Sequence, residues 1–387
     1  MTVCVLLSRV PFPLEKGDKL RAYHQLRLLR QHHRVVLCCL SMGKPRPTDL
    51  EALKGLVDEL KVVELSLWGL IGSILRSLTT RLPWQVSYFY QPKAARGVEQ
   101  WLTEQQPDRI YAQLVRTAPY ISDRWASQTI FDFQDAFSAG MLRRAMRAPW
   151  YTRWFWDDEA KRLKSYESQQ SARFKHNVII SEQDRLAIEN RHVLPITVVP
   201  NGVDLKQFTP LRCPKTTDIL FTGNMSYPPN VATALFIANE VLPRVRLLKP
   251  DVQLTICGAD PVPAIWDLSK RGIRVTGWVD QIATEYHKSK VFFAPMQMGA
   301  GLQNKLLEAM ACGIPCITSE LAAKAFKKEH TEAFLVGKNA QEYAQLLVEL
   351  LMDENKRNEI AQRGRSFVSD HYSWEAATAP LYEILGK

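Results

Sequence analysis

The pattern that most limits what this chain can fold into is an alternation of short apolar runs with segments of helical period, which pauses near residue 200 and restarts. "TVCVLLS" precedes the helical "DKLRAYHQLRLLRQHH", and "RVVLCCL", "RIYAQL", "QTIFDF" and "NVIIS" follow. "KVVELSLWGLIGSILRSL" reads as a strand and then a helix. Beyond residue 200 come "DILFTG", "VQLTICG", "IRVTG", "VFFAP" and "PCITS", with helices such as "NVATALFIANEVLPRVRLL" between them. Short continuous apolar strands flanked by amphipathic helices make parallel sheets covered on both faces, the doubly wound α/β class. A chain of 387 residues exceeds what one core usually supports. Two such domains are therefore expected, over 1–195 and 200–370, joined near "LPITVVPNGVDLKQFTP". A C-terminal helix over 372–387 can pack on either, the first included.

Charge and cysteine content narrow the setting. The formal net charge is +10, which favours polyanionic partners without choosing among them. The seven cysteines show no ligand spacing and read as reduced, buried thiols. No His/Asp/Cys cluster has metal-ligand spacing, so no metal is expected. "TVCVLLS" has neither the length nor the basic leader of a signal peptide, and no window reaches the length of a membrane span. These features predict a cytoplasmic protein.

One stretch carries chemistry: "FFAPMQMGAGLQNKLLEAMACGIPCITS", residues 292–319. A strand leads into a loop where Gly299 and Gly301 allow backbone amides to approach a ligand. A helix starting near Leu302 turns its positive end to the same spot. Lys305 lies in its first turn, and Glu308, three residues on, shares its face. Amides and a lysine suit a diphosphate, and a carboxylate suits a ribose diol. The segment also reads as G-x-G-x-x-N, near the dinucleotide fingerprint, with Glu320 after the next strand. An NAD-dependent oxidoreductase is therefore a rival reading, though the third glycine is missing.

Three stretches together resemble retaining glycosyltransferases of the GT-B fold, near glycosyltransferase family 4: "VVPNGVDLKQF", "IRVTGWVDQIATEYHKSKVFFAP" and "LLEAMACGIPCITS". "PFPLEKGDKLR" and "FDFQDAFS" match more loosely, and resemble a bacterial subgroup associated with exopolysaccharide assembly. The resemblance implies two Rossmann-like domains facing a cleft, with a nucleotide-sugar donor held mostly by the second. Glu308 would bind the donor ribose, and the loop of Gly299, Ala300 and Gly301 would hold sugar and phosphates. Leu302 and Asn304 at the helix start, Gly223 and Asn224 after the first strand of that domain, and Trp278 and Val279 beside the base would complete the pocket. Gly17 would bring the first domain's loop over the diphosphate, with Lys16 and Arg21 beside it. The family's first glutamate falls at Ala300, and its Arg/Lys pair is absent from "TGNMSYPPN". Lys305 is thus the candidate for the diphosphate charge, and an inactive nucleotide-binding scaffold at a membrane is a further alternative.

In the first domain Asp135, Asp132 and Arg116 follow strands and are candidates to face the cleft; for the two aspartates helix capping is the competing role. Lys305, Asp135 and Arg116 form the catalytic candidates. His24, His32, His33 and His287 fall on helical patterns and read as surface residues. Residues 141–175 interleave Arg143, Arg144, Arg147 and Arg153 with Trp150, Tyr151, Trp154, Phe155 and Trp156. That mixture suits an anionic membrane surface or, alternatively, two packed helices. No nucleic-acid-binding module accompanies the charge. The expected activity is metal-independent, cofactor-free transfer of a sugar with retention to a hydroxyl of a lipid-linked or surface-polysaccharide glycan, by a cytoplasmic protein peripheral to the membrane.

Overall fold

A computed structural model describes residues 1–386 except 15, 147, 189–193, 299, 300 and 327–331, and leaves the side chains of 74–76, 78 and 79 undescribed. Arg147, Gly299 and Ala300 therefore lie outside the described residues. The chain divides into one unit of Met1–Pro200 with Thr378–Lys387 and a second of Asn201–Ala377.

The first unit holds seven parallel strands: β1 (Thr2–Leu7), β2 (Arg34–Ser41), β3 (Glu59–Glu64), β4 (Arg109–Gln113), β5 (Thr129–Gln134), β6 (His176–Ile179) and β7 (Ile196–Val198). Their order is β3-β2-β1-β4-β5-β6-β7. Leu6 pairs with Cys38 on one side and Ala112 on the other. The central strands are buried on both faces, which is why they read as unbroken apolar runs. Leu381 and Leu385 of the C-terminal helix Trp374–Leu385 join the cluster of Val3, Val5, Leu26 and Ile130.

The second unit holds β8 (Thr217–Thr222), β9 (Leu254–Cys257), β10 (Arg274–Val275), β11 (Ser289–Ala294), β12 (Cys316–Ser319) and β13 (Leu335–Gly337). Their order, β10-β9-β8-β11-β12-β13, repeats the arrangement of the first six strands. Both sheets reverse direction of growth beside their first strand, at β1/β4 and β8/β11. Ligands of such sheets bind outside the carboxyl ends of the strands at that reversal.

Three expectations change. Ile196–Val198, read as linker, pairs with β6 as an edge strand. The long helix after β8 is interrupted by a π turn over Ile237–Val241, just before Pro243, whose missing N–H cannot continue the ladder. His24 and His287 are buried rather than on the surface, and a ring nitrogen of His287 lies 2.7 Å from the Thr209 carbonyl.

Candidate donor site and the carboxyl edge of the first unit

At the carboxyl ends of β8 and β9, beside the β8/β11 reversal, the backbone comes unusually close to itself. Gly258 has φ +146°, and a Cβ there would stand 1.8 Å from the Gly223 carbonyl oxygen. Gly223, at φ +155°, donates its N–H to Cys257 O at 3.0 Å, and a Cβ on it would reach the Asn230 and Lys305 side chains. Only glycine fits either place.

The helix Asn304–Ala311 follows the loop, two residues later than expected, and no side chain caps its N-terminus. The Leu306 N–H turns back to Gln303 O at 2.9 Å, which leaves the Asn304 and Lys305 amides of the first turn for a ligand. Lys305 Nζ donates to Asn230 Oδ1 at 2.7 Å, sits 4.7 Å from the centre of the Phe221 ring and 4.0 Å from Met296 Sδ. All three contacts are neutral, and no carboxylate pairs with this ammonium among the described residues. Burial pushes its pKa down to about 7, against a smaller opposing pull from Glu308. Glu308 Oε2 accepts from Tyr286 Oη at 2.9 Å, and Tyr286 stands 3.0 Å from Thr222 Oγ1. Burial raises the Glu308 carboxyl, while Tyr286 and Lys305 oppose the shift. One carboxylate oxygen is thus fixed by a buried tyrosine, and the other carries no hydrogen bond among the described residues.

The remaining expected donor residues take varied places. Gly301 O accepts from Gln303 Nε2, and Asn304 Oδ1 lies 3.5 Å from Asn201 Nδ2. Leu302 is buried in the core and Val279 packs on it, whereas Trp278 is exposed with its Nε1 toward Asp280. Asn224 is committed to its own turn: its Oδ1 accepts from Ser226 and its Nδ2 donates to Asp260. Glu320 is exposed and faces Lys338 at 3.8 Å, an ordinary surface pair. Asn230, Tyr286, Phe221 and Thr222 escape a reading of the sequence because they reach the site from other elements.

In the first unit the carboxyl edge is equally specialised. Leu114, just after β4, and Gln134, the last residue of the adjacent β5, have φ of 72° and 63° although neither is glycine. Gln113 Nε2 donates to Gln134 Oε1 and to Asp18 O, both at 3.2 Å. Gly17 begins the helix Gly17–Leu29 and Lys16 is exposed at its N-cap position. Arg21 corrects its expected role: it has no exposure, donates to Asp132 Oδ2 at 2.7 Å and to the Val199 carbonyl at 2.8 Å. One turn into the helix, its side chain points down onto the sheet rather than toward a ligand. Asp132 is equally enclosed, shared with Tyr111, and neither caps a helix nor meets solvent. Asp135 is partly exposed without a hydrogen bond to its carboxyl among the described residues. Burial first, then Asp184 and Asp132, push it up to about 7.

The second unit is similar in sequence to known glycosyltransferases. A family model described as Glycosyl transferases group 1 matches residues 216–353, within the second unit. Over that stretch the chain is similar to glycosyltransferases. It is 28% identical over 214 residues to the GDP-mannose-dependent monoacylated alpha-(1-6)-phosphatidylinositol monomannoside mannosyltransferase of Corynebacterium glutamicum, covering 48% of this chain and 55% of that one. It is 27% identical over 209 residues to the UDP-Gal:alpha-D-GlcNAc-diphosphoundecaprenol alpha-1,3-galactosyltransferase of Escherichia coli, covering 46% and 54%. The matches span about half the length of these curated relatives. The fold is similar to that of sucrose-phosphate synthase from Thermosynechococcus elongatus, with a TM-score of 0.71 and 15% identity over 100% of this chain and 98% of the other. The oxidoreductase reading is not favoured.

Proposed function

We propose that this chain transfers a sugar, with retention, from a nucleoside diphosphate donor to a hydroxyl of a lipid-linked or surface glycan. The observation that carries the reading is the Lys305 ammonium, held by neutral groups beside an uncapped helix N-terminus and three residues from a carboxylate with one oxygen free. A cation without a carboxylate partner is suited to an incoming diphosphate, and the free oxygen of Glu308 to a ribose diol. Electrostatic stabilisation of the leaving diphosphate is then the main catalytic task. Lys305 supplies that charge without a metal. In a retaining transfer of this kind the acceptor oxygen bonds to the anomeric carbon on the face the diphosphate leaves. The anomeric C–O bond breaks with its electrons going to the diphosphate, which also receives the acceptor's proton. The relatives named for UDP-Gal and GDP-mannose support the donor class, and their lipid-borne acceptors support the acceptor class.

An exposed patch supports action at an anionic membrane surface. Trp150, Tyr151 and Trp154 are exposed on the helical pair Phe137–Ala145 and Trp150–Arg173, with Arg143 and Arg153 among them and the exposed Met146 just after the first helix. No helix among the described residues is long and apolar enough to cross a membrane. The reaction is tested by incubating the protein with a panel of UDP- and GDP-sugars and a membrane lipid extract, reading the product anomer by NMR. The proposal expects one donor to be consumed and its anomeric configuration kept. An inverted product, or no consumption of any donor, would refute it.

A further inference from the structure

The carboxyl edge of the first unit holds a second unpaired cation, on separate elements from the donor site. Arg116 lies three residues beyond β4, and Arg9 two residues beyond β1, the neighbouring strand. This is the reversal point of the first sheet, where a ligand is expected. The Arg116 guanidinium lies 4.8 Å from the centre of the Phe89 ring and 5.8 Å from that of Phe137. Of its five donors, one finds an acceptor among the described residues: Nη2 donates to Gln85 Oε1 at 3.3 Å. Its Nε is buried without a partner.

The acids nearby are already engaged. Asp18 pairs with Arg9 at 3.0 Å. Glu159 accepts from the Trp84 and Gln85 backbone amides and from Gln85 Nε2, so Gln85 stands between it and Arg116. Burial, reinforced by the charge of Arg9, pushes the Arg116 pKa down to about 10, which leaves it charged at neutral pH. A purely structural arginine of this burial normally takes a carboxylate or several carbonyls. Arg21, in the same unit, does both. Arg116 instead keeps its donors open between two aromatic rings.

What surrounds it suggests the kind of anion. Phe137 opens the helix Phe137–Ala145, and Gln85 and Phe89 belong to the helix Trp84–Phe89. Trp84 packs on Phe155, 5.9 Å between ring centres, in the helix that exposes Trp150 and Trp154. The open guanidinium is therefore set among the same elements that present apolar rings to solvent. We propose that Arg116, aided by Arg9, binds a phosphate or diphosphate group carried on an apolar chain, as the headgroup of the acceptor. The ligand's role as acceptor rests on the transferase reading; the oxyanion site itself does not.

The test is calorimetric titration with geranyl diphosphate, geraniol and inorganic pyrophosphate, each with the preferred nucleoside diphosphate present at saturation. Wild type is compared with R116Q, R116K and R9Q. The proposal expects geranyl diphosphate to bind wild type, at least tenfold more weakly to R116Q, and severalfold more weakly to R9Q, with partial recovery in R116K. Nucleoside diphosphate affinity stays within twofold in all variants. Arg9 is partly exposed, so R9Q keeps the test open should R116Q fail to fold. The site is overturned if geranyl diphosphate does not bind, or if its binding ignores both substitutions. Equal binding of pyrophosphate and geranyl diphosphate overturns the lipid source, and a parallel loss of nucleotide affinity in R116Q assigns Arg116 to the donor instead. Arginine-dependent geranyl diphosphate binding by a wild type that binds no nucleotide would support this site and sink the donor reading.

Discussion

At the residue scale, two ionisable groups stand where their charge is costly. Burial holds the Lys305 pKa down to about 7, against a smaller opposing pull from Glu308. A diphosphate beside it raises that pKa, so binding takes up a proton, and affinity falls as pH rises above 7 by up to about tenfold per unit. Asp135 has the opposite sign. The unfolded chain ionises this group near pH ~4, whereas the folded protein holds its proton up to about 7. Between those values the folded state binds more protons, so stability falls as pH rises and then levels off. Asp135→Asn removes that loss: at pH 8 the variant should be more stable than wild type by roughly 1–3 kcal/mol, and at pH 4 nearly equal. Urea denaturation at the two pH values checks it, and equal stability at pH 8 would contradict it. The spacing of Lys305 and Glu308 was legible in the sequence, since residues three apart share a helical face. Their neutral cage was not, because Asn230 and Tyr286 come from helices about 75 and 20 residues away in the chain. Arg21 and Asp132 misled for the same reason: nothing local shows that one satisfies the other.

At the element scale, both sheets were legible because fully buried parallel strands leave unbroken apolar runs. The three-residue edge strands β7 and β13 leave no such signal, as they are short and only partly covered. The glycine turns that join β8 and β9 to their helices give the sharpest test of the close backbone approach. Gly258→Ala would drive a Cβ into backbone and should cost about 3 kcal/mol or more. Gly223→Ala meets the Asn230 side chain at 2.6 Å and Lys305 Nζ at 3.0 Å. It should lower nucleoside diphosphate affinity at least tenfold with a smaller loss of stability. Thermal melts and titrations of the two variants separate these effects; equal stability loss without an effect on binding would contradict the arrangement.

At the scale of the whole molecule, the C-terminal helix contributes to the core of the first unit although the chain reaches it last. Leu381 is fully buried there, and Leu381→Ala should cost about 2–5 kcal/mol, measured by urea denaturation. The net charge of +10 and the exposed tryptophans predict sedimentation with anionic vesicles that weakens with salt. The Trp150→Ser/Trp154→Ser double variant should lose most of that binding, while neutral vesicles bind weakly throughout. Vesicle binding indifferent to salt and to both tryptophans would remove the membrane from the account.

The most direct measurement is calorimetric titration of the protein with UDP, GDP and NAD at pH 7.0 and 8.5, in buffers of different ionisation enthalpy. It is repeated on Lys305→Ala and Glu308→Ala. The account predicts that one nucleoside diphosphate binds with uptake of a proton and more weakly at the higher pH. It also predicts that each substitution weakens binding by more than ~1 kcal/mol and that Lys305→Ala abolishes the uptake. Preference for NAD, or nucleotide binding unmoved by both substitutions, would contradict it.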